Sequence, residues 1–561
     1  MTKPLGHYFI DLLSQRGIQY FFANPGTEFT SIIEAFAAYE AAGISDPKPV
    51  MVPHETAAVN MAYGAYLASG RPQAVMVHAT IGAANAAAAL INASRMNIPL
   101  LFIAGRTPIT ESGQPASRDK FIHWAQESYD QGGMFREYTK WDYELRQSDH
   151  LQVVLDRALS IMNSPPKGPV YLQLPRERLM EEINPETMIP SAGPEPSILG
   201  MPGQVQLRQL ANELVAAARP IIMTKTVGEN PEAVAVLEAF SEHYAIPVIT
   251  PDAHYYNIST RHPMFCGYHL NAFYKQADLV LNLGMDVPWS SISDQPPQGA
   301  KVIHIAEDPL FQQIPIRTHR GDTFICANIE QTLLGLDDQL KKLVERKRID
   351  SRRHDIKQFK QQSQPDIEPS TLTADAVALA LNDIWDEHCV LINELSLPVD
   401  SIQLDQPGCY FRTGSASGLG WGLGAAVGIA LAAEDKVVIA VVGDGSYYFS
   451  NPAVIHWLAK RNQLKLLTVV LNNDGMKSIQ RVTEQHFPMG AASREANFPL
   501  TSLEPATPYE KIAAVYGAHA YCVERLRELK PILEEAMQQV VQTGNQALVN
   551  IRLSLSCDET G

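Results

Sequence analysis

Cysteine is scarce: Cys266, Cys326, Cys389, Cys409, Cys522 and Cys557 are scattered through 561 residues, with no Cys-x-x-Cys pair among them. That spacing excludes a disulfide framework and argues against zinc-ribbon or thiol-redox chemistry, so the thiols are expected to stay reduced. Long basic runs are missing too. With 45 Lys and Arg against 61 Asp and Glu, the formal charge is −16, and neither nucleic acid nor an anionic membrane is an expected partner. No apolar stretch approaches the roughly 20 residues of a membrane span. The opening segment, Met1 to Asp11, breaks its apolar residues too soon for a signal peptide. These absences lead to the expectation of a cytoplasmic protein.

What is present is enough apolar material for several cores. Hydrophobic residues make up 45% of the chain, and a prior of about 150 residues per domain suggests three or four domains. The most informative stretch runs from Val437 to Asn473: an apolar strand, then Gly443-Asp444-Gly445-Ser446, a helix-like segment, and a second apolar strand closing on Asn472-Asn473. A βαβ unit of this kind brings both strand ends to one edge of a sheet, where open α/β folds bind ligands. Asp444 and Asn473 should therefore meet. A carboxylate, an amide oxygen and the Gly475 carbonyl, completed by phosphate oxygens and water, would give the oxygen octahedron that Mg2+ prefers. The glycines let a phosphate approach the N–H groups opening the next helix. Gly-Asp-Gly alone reads as an acid capping an ordinary helix; the paired asparagines after a buried strand change that reading.

Gly-Asp-Gly, one helix, one strand and then Asn-Asn resembles the signature by which the thiamine diphosphate (ThDP) enzyme superfamily holds magnesium and the cofactor's diphosphate. Within it the chain is similar to the group of acetolactate synthases and benzoylformate decarboxylases. The resemblance implies an α/β protein of three doubly wound parallel-sheet domains. These are a pyrimidine-binding domain over 1–185, a central domain over 203–345 and a diphosphate- and magnesium-binding domain over 370–561. The Pro-rich stretch Asn184–Pro202 reads as a linker, and the strongly charged Gln339–Asp366 as a solvated linker helix.

In the first domain, the strand Ile18–Phe22 runs into Asn24-Pro25-Gly26-Thr27-Glu28, a turn at a strand's carboxyl end. Next, Val50-Met51-Val52-Pro53 leads to His54-Glu55-Thr56 and an Ala-rich helix from Ala57 to about Ser69. A helix dipole alone would favour an acid at Glu55. The resemblance gives it a role: bonding the cofactor's aminopyrimidine ring, so that the ring's amino group can take the thiazolium C2 proton. The strand Ala74–Val77 ends at His78, and Gly82 and Asn85 match the turn that such enzymes place beside the cofactor. His78 resembles benzoylformate decarboxylases, where acetolactate synthases usually carry threonine. Gln126-Glu127 instead resembles acetolactate synthases and hydroxyacyl-CoA lyases. His78 and Thr27 join Glu55 as candidate catalytic residues, although a strand-end histidine can equally be structural.

The middle segment repeats the α/β rhythm, with strands at Pro220–Met223, Ile246–Thr250, Leu279–Gly284 and Val302–Ile305. Flavin-carrying relatives usually place an arginine after the strand ending here in Gly284. Met285-Asp286-Val287-Pro288-Trp289 stands there instead, so FAD is not expected; Asp286 and Trp289 are either structural or part of a substrate pocket. In the last domain a helix is expected over Thr373–Trp385 and a strand over Cys389–Ile392. By resemblance, Ser396 offers a hydroxyl to the diphosphate, the Ser417 carbonyl accepts from the cofactor's amino group, and Leu419 is the apolar wedge that bends the cofactor. Gly443, Gly445, Ser446 and Met476 complete the cofactor-binding set, with Asp444, Asn473 and Gly475 on the metal.

Ile479 and Thr27 stand where pyruvate decarboxylases carry acids, which weighs against that mechanism. The expected activity is decarboxylation of a 2-oxo acid to an aldehyde. A carboligase, a 2-hydroxyacyl-CoA lyase and a ThDP-binding protein without turnover stay open. Because the cofactor halves lie in different domains, the resemblance implies a homodimer or homotetramer.

Overall fold

The computed structural model describes residues 2–290, 294–343, 345–362 and 369–554. Cys557 and the end of the charged segment, residues 363–366, lie outside them. Three parallel sheets with flanking helices organise the chain. In the first, the spatial order is Lys48–Met51, Tyr20–Asn24, Gln73–Val77, Leu100–Arg106, Val170–Pro175, Asp142–Glu144. In the last it is Tyr410–Arg412, Cys389–Glu394, Val437–Gly443, Leu466–Asn472, Ala547–Arg552, His519–Val523. Numbered along the chain within each sheet, both orders are 2-1-3-4-6-5. The central sheet, Val248–Ile249, Pro220–Thr224, Leu279–Leu283, Lys301–Ala306, Thr323–Cys326, reads 2-1-3-4-5. All three are therefore doubly wound, as the sequence implied.

Strands such as Val437–Gly443 and Leu466–Asn472 are apolar on both faces because helices cover both faces of a parallel sheet. Contacts group the chain into two compact units, Met1–Ser197 with Ile392–Ser396 and Thr413–Gly561, and Ile198–Leu391 with Leu397–Arg412. The first sheet and most of the last thus share one unit. What joins them is a pair of Ala/Gly-rich helices, Glu55–Ser69 and Trp421–Ala432, packed backbone to backbone: a Cβ on Gly64 would lie 2.0 Å from the Ala425 carbonyl oxygen, and one on Gly428 2.0 Å from that of Met61. Burial on all sides explains why neither helix is amphipathic. The longer helix stops at Gly70, whose φ of 66° closes it in the left-handed region.

Several element bounds move. The first strand begins at Tyr20, the strand expected over Ile246–Thr250 shortens to Val248–Ile249, and the helix expected from Thr373 spans Ala374–Leu381. Gln339–Asp366 is not one solvated helix. The helix Ile329–Leu340 ends there and Arg346–Gln362 is separate. The second helix is docked: Ile356 is buried in the central core, and buried Arg352 donates to the carbonyls of Leu214, Ala217 and Tyr244. Those carbonyls end two helices and have no partner within them, which is why a cation turns inward from an otherwise charged segment. Among the described residues no helix is long and apolar enough to cross a membrane.

Candidate active site

Every candidate sits where a strand of the first or last sheet gives way to the next segment. In the first domain, the helices Glu55–Ser69 and Ala79–Arg95 open side by side. Asn85 Nδ2 donates to Glu55 Oε2 at 2.6 Å, and Thr56 Oγ1 donates to the Asn85 carbonyl at 2.6 Å. A Cβ on Gly82 would stand 3.2 Å from Glu55 Oε1, so the absent side chain leaves the carboxylate its room. Glu55, Gly82 and Asn85 are therefore one cluster.

His78 adjoins it, its carbonyl accepting from the Gly82 N–H, and is held by a residue that sequence reasoning passed over. Glu28, buried under the sheet edge, places Oε2 2.7 Å from His78 Nδ1 and accepts from the Ala79 N–H through Oε1. The pair fits because two neighbours are glycine. A Cβ on Gly26 would fall 1.9 Å from His78 Nδ1, and one on Gly105 2.3 Å from Glu28 Cγ. The hydrogen bond to Glu28 is the main reason the imidazole's pKa lies above its ordinary value; burial opposes the shift, and the Gln126 side chain and the Glu55 charge assist it. With Glu28 ionised, Nδ1 carries a proton, leaving Nε2 as the titrating atom.

Gln126 is held here by Thr80, whose Oγ1 donates to its carbonyl at 2.8 Å. The histidine and the glutamine that suggested different relatives thus meet on one imidazole. Glu127 has another task, accepting from Thr107 Oγ1 and pairing with Arg106 and Arg118. Thr27 is exposed beside Gly26 and opens a short 3-10 turn, Thr27–Phe29.

The second group lies in the last domain. Asp444 opens the helix Asp444–Phe449 and is buried; Oδ1 accepts from the Gly445 N–H, and Oδ2 from those of Asn473 and Gly475 at 3.2 and 3.1 Å. The two loops therefore meet as the βαβ spacing required. Burial pushes the Asp444 carboxyl above the usual range, against the three backbone N–H groups that favour its charge. Asn473 Oδ1 is buried and, among the described residues, has no hydrogen-bond partner. An orphaned amide oxygen beside a buried carboxylate is costly unless a cation or donor takes it, and oxygens of this kind suit Mg2+. The residues present thus fit the magnesium and diphosphate that the sequence implied. Ser396 Oγ lies against Gly443, 2.9 Å from where its Cβ would be, and Met476 Sδ similarly faces Gly445. Ser446 is buried, with its side chain beside the buried carboxylate of Glu394.

The loop carrying Ser417 and Leu419 is pinned by residues that sequence reasoning missed. Asn92 holds Gly418 from both sides, accepting from its N–H at 3.0 Å and donating to its carbonyl at 2.9 Å. Asn60 donates to the Gly420 carbonyl. Ser417 adopts a φ of 50°, a strained position for a non-glycine residue.

Central residues are engaged within their own unit. Lys225 is buried and pairs with Asp252 and Asp286, Arg317 donates to the Met285 and Asp286 carbonyls, and Trp289 packs in the core. Lys477 bonds Gln480.

Comparison with known proteins agrees with this arrangement. Residues 3–134 match the thiamine pyrophosphate enzyme N-terminal TPP binding domain, 207–336 the central domain and 398–551 the C-terminal TPP binding domain. Benzoylformate decarboxylase of Pseudomonas aeruginosa is 26% identical over 477 residues, 82% of this chain and 84% of that protein. The acetolactate synthase isozyme 3 large subunit of Escherichia coli is 24% identical, over 94% of this chain and 91% of that protein. The thiamine diphosphate-dependent 4-hydroxybenzoylformate decarboxylase of Rhodococcus jostii shares the fold, with a TM-score of 0.81 at 21% identity, covering 99% of this chain and 100% of that chain. Matched by all three models over most of its length, the chain belongs to the thiamine pyrophosphate-dependent enzymes.

Proposed function

We propose that the chain is a ThDP- and Mg2+-dependent, non-oxidative carbon–carbon lyase whose reaction is decarboxylation of a 2-oxo acid to an aldehyde. The observation that carries this reading is the Glu28–His78 pair beside Glu55, a proton reservoir next to the residue expected to face the cofactor's pyrimidine. When bound, ThDP supplies a nucleophilic carbon and an electron sink for the bond cleavage. Asp444, Asn473 and the Gly475 carbonyl would hold the metal, with Gly443, Gly445, Ser396, Ser446 and Met476 around the diphosphate. Glu55 is oriented by Asn85, while Gly82 keeps the space above it clear. The Ser417 carbonyl and Leu419 line the pyrimidine side. His78 holds a proton at Nε2 and can deliver it once carbon dioxide has left, Glu28 offsetting the imidazolium charge. Thr27, exposed beside that dyad, is assigned to the substrate.

A second reading is favoured by one neighbour: the side chain of Gln126, a feature of carboligases and acyl-CoA lyases, stands beside the His78 imidazole and helps raise its pKa. In that case the same residues would serve attack on, or release of, a second carbonyl compound. The assembly is assigned as a homodimer or homotetramer. Phe121, Tyr129, Phe487, Met489 and Leu500 are apolar and exposed near the proposed site segments, and a second copy would cover them.

Carbon dioxide release from aliphatic and aromatic 2-oxo acids, with and without an acceptor aldehyde, separates these readings. Release without acceptor supports decarboxylation, and ligated product supports the second reading. No turnover, together with unchanged ThDP binding in Glu55→Gln, would leave a cofactor-binding protein without catalysis.

A further inference from the structure

Glu394 ends the first strand of the last sheet and is completely buried. Its oxygens accept from the N–H groups of Gly420 and Gly422 at 2.6 Å each, and the Trp421 N–H and the Ser446 side chain stand beside it and favour its charged form. Among the described residues no Lys, Arg or His forms an ion pair with it. An anion so placed is expensive, and burial pushes its carboxyl up to about 7. The opening turn of the helix Trp421–Ala432 supplies the compensating N–H groups. A well-packed apolar residue would spare the cost, so the carboxylate is kept for what its two oxygens can reach.

Those oxygens reach two loops at once. One is Thr413–Gly420, fixed at Gly418 by Asn92 and at Gly420 by Asn60. The other begins at Gly443, and Ser446 is its contact with Glu394. Glu394 is thus the fastener between the segment that would shape the cofactor's pyrimidine side and the segment that would hold its diphosphate. We propose that Glu394 is the positioning residue that sets the spacing of these two loops, and through it the bend of bound ThDP. This rests on the ThDP reading of the site.

Glu394→Gln keeps the shape but replaces one acceptor with an amide facing a backbone N–H. Glu394→Asp keeps the charge but withdraws it by about 1.5 Å, one C–C bond. Amide hydrogen exchange of the chain without cofactor tests the fastening itself: peptides spanning residues 413–424 should exchange about tenfold faster in both variants, with distant strands unchanged. Calorimetric titration with Mg2+ and ThDP should then show affinity reduced about tenfold or more. The near-ultraviolet circular dichroism of the bound cofactor, which reports how its two rings face each other, should change at saturation. A role in stability alone would lower the melting temperature and leave that dichroism as in the parent. Unchanged exchange in 413–424, or an unchanged dichroic signature, overturns the proposal. If Glu394→Gln does not fold, Glu394→Asp decides by the same two readouts. Failure of the unsubstituted chain to bind Mg2+ and ThDP would instead sink the cofactor reading, and the exchange data would still show whether Glu394 fastens the loops.

Discussion

Replacing Glu28 by glutamine removes one negative charge and leaves the shape of the His78 slot intact. The two side chains are 22% and 5% exposed, so solvent screens the pair little. A hydrogen bond to a charged group contributes about 1.5–3 kcal/mol, against about 0.5–1.5 for a neutral one. The exchange should therefore weaken proton binding to His78 by about 1–1.5 kcal/mol, roughly tenfold. In the parent the pair raises the folded-state pKa of His78 above its unfolded value. The stability gained is then fully present below about pH 6.5 and is lost as pH rises through the folded value. The melting-temperature gap between parent and Glu28→Gln should accordingly be widest on the acidic side of neutrality and narrow above it. Titration of Cε1-labelled histidine by NMR, with His78 assigned from its absence in His78→Asn, reads the proton directly. If His78 delivers a proton during turnover, the alkaline limb of the rate profile moves to lower pH by about 1. An imidazole titration identical in parent and variant would refute the electrostatic reasoning. A moved titration with an unmoved rate profile would refute the role in turnover.

Asn473→Ala removes the orphaned oxygen and should weaken Mg2+-dependent ThDP binding at least tenfold in calorimetry while leaving the melting temperature without metal within a few degrees; equal affinity would dismiss the metal assignment. Gly64→Ala drives a Cβ to 2.0 Å from the Ala425 carbonyl oxygen and should cost about 1–3 kcal/mol in urea unfolding, whereas a neutral result would mean the two helices are free to separate. Asn92→Ala removes both bonds to Gly418 and should cost about 1–2 kcal/mol, with faster amide exchange confined to the 413–420 loop as its check. Burial pulls His254 down to about 3, and His304 and His456 to about 4. The unfolded chain binds more protons than the folded one between those values and about 6.5, so stability must fall as pH drops through that window; a flat melting temperature from pH 7 to 4.5 would contradict it.

The parts legible in the sequence were those whose chemistry demands fixed local spacing. Asp444 and Asn473 are set apart by a βαβ crossover, although its helical part, expected as one helix, is two, Asp444–Phe449 and Pro452–Arg461, and Glu55 stands where a strand hands over to a helix. Glu28, Asn92 and Glu394 carry no such local mark. Their partners lie 50, 326 and 26 residues away, and a buried carboxylate or amide looks in sequence like any polar residue at the end of an apolar run. Arg352 shows the reverse error. A helix of charged composition conceals an arginine that turns inward, because composition does not say which face meets two helix ends. The repeated 2-1-3-4-6-5 strand order was hidden as well, since topology persists through packing rules that leave residue identities free.

That repetition explains why Glu28 and Glu394 occur where they do. In a 2-1-3-4 order the first strand lies between the second and third, so a side chain at its carboxyl end is within reach of the helices that follow both. Glu28 stands just past that end in the first sheet and meets His78 and the N–H of Ala79, at the helix after the third strand. Glu394 ends the corresponding strand in the last sheet and meets the helix after the second strand through Gly420 and Gly422, and the helix after the third through Ser446. The topology thus provides an anion-holding region twice, at or just past the carboxyl end of the first strand, at the edge where helix N-termini converge. One copy spends its charge on an imidazole, so removing it changes a proton affinity. The other spends it on backbone N–H groups, so removing it changes the distance between loops. A single architectural region yields a chemical role in one domain and a geometric one in the other, according to whether the neighbouring strand ends in a histidine or in a glycine-rich turn.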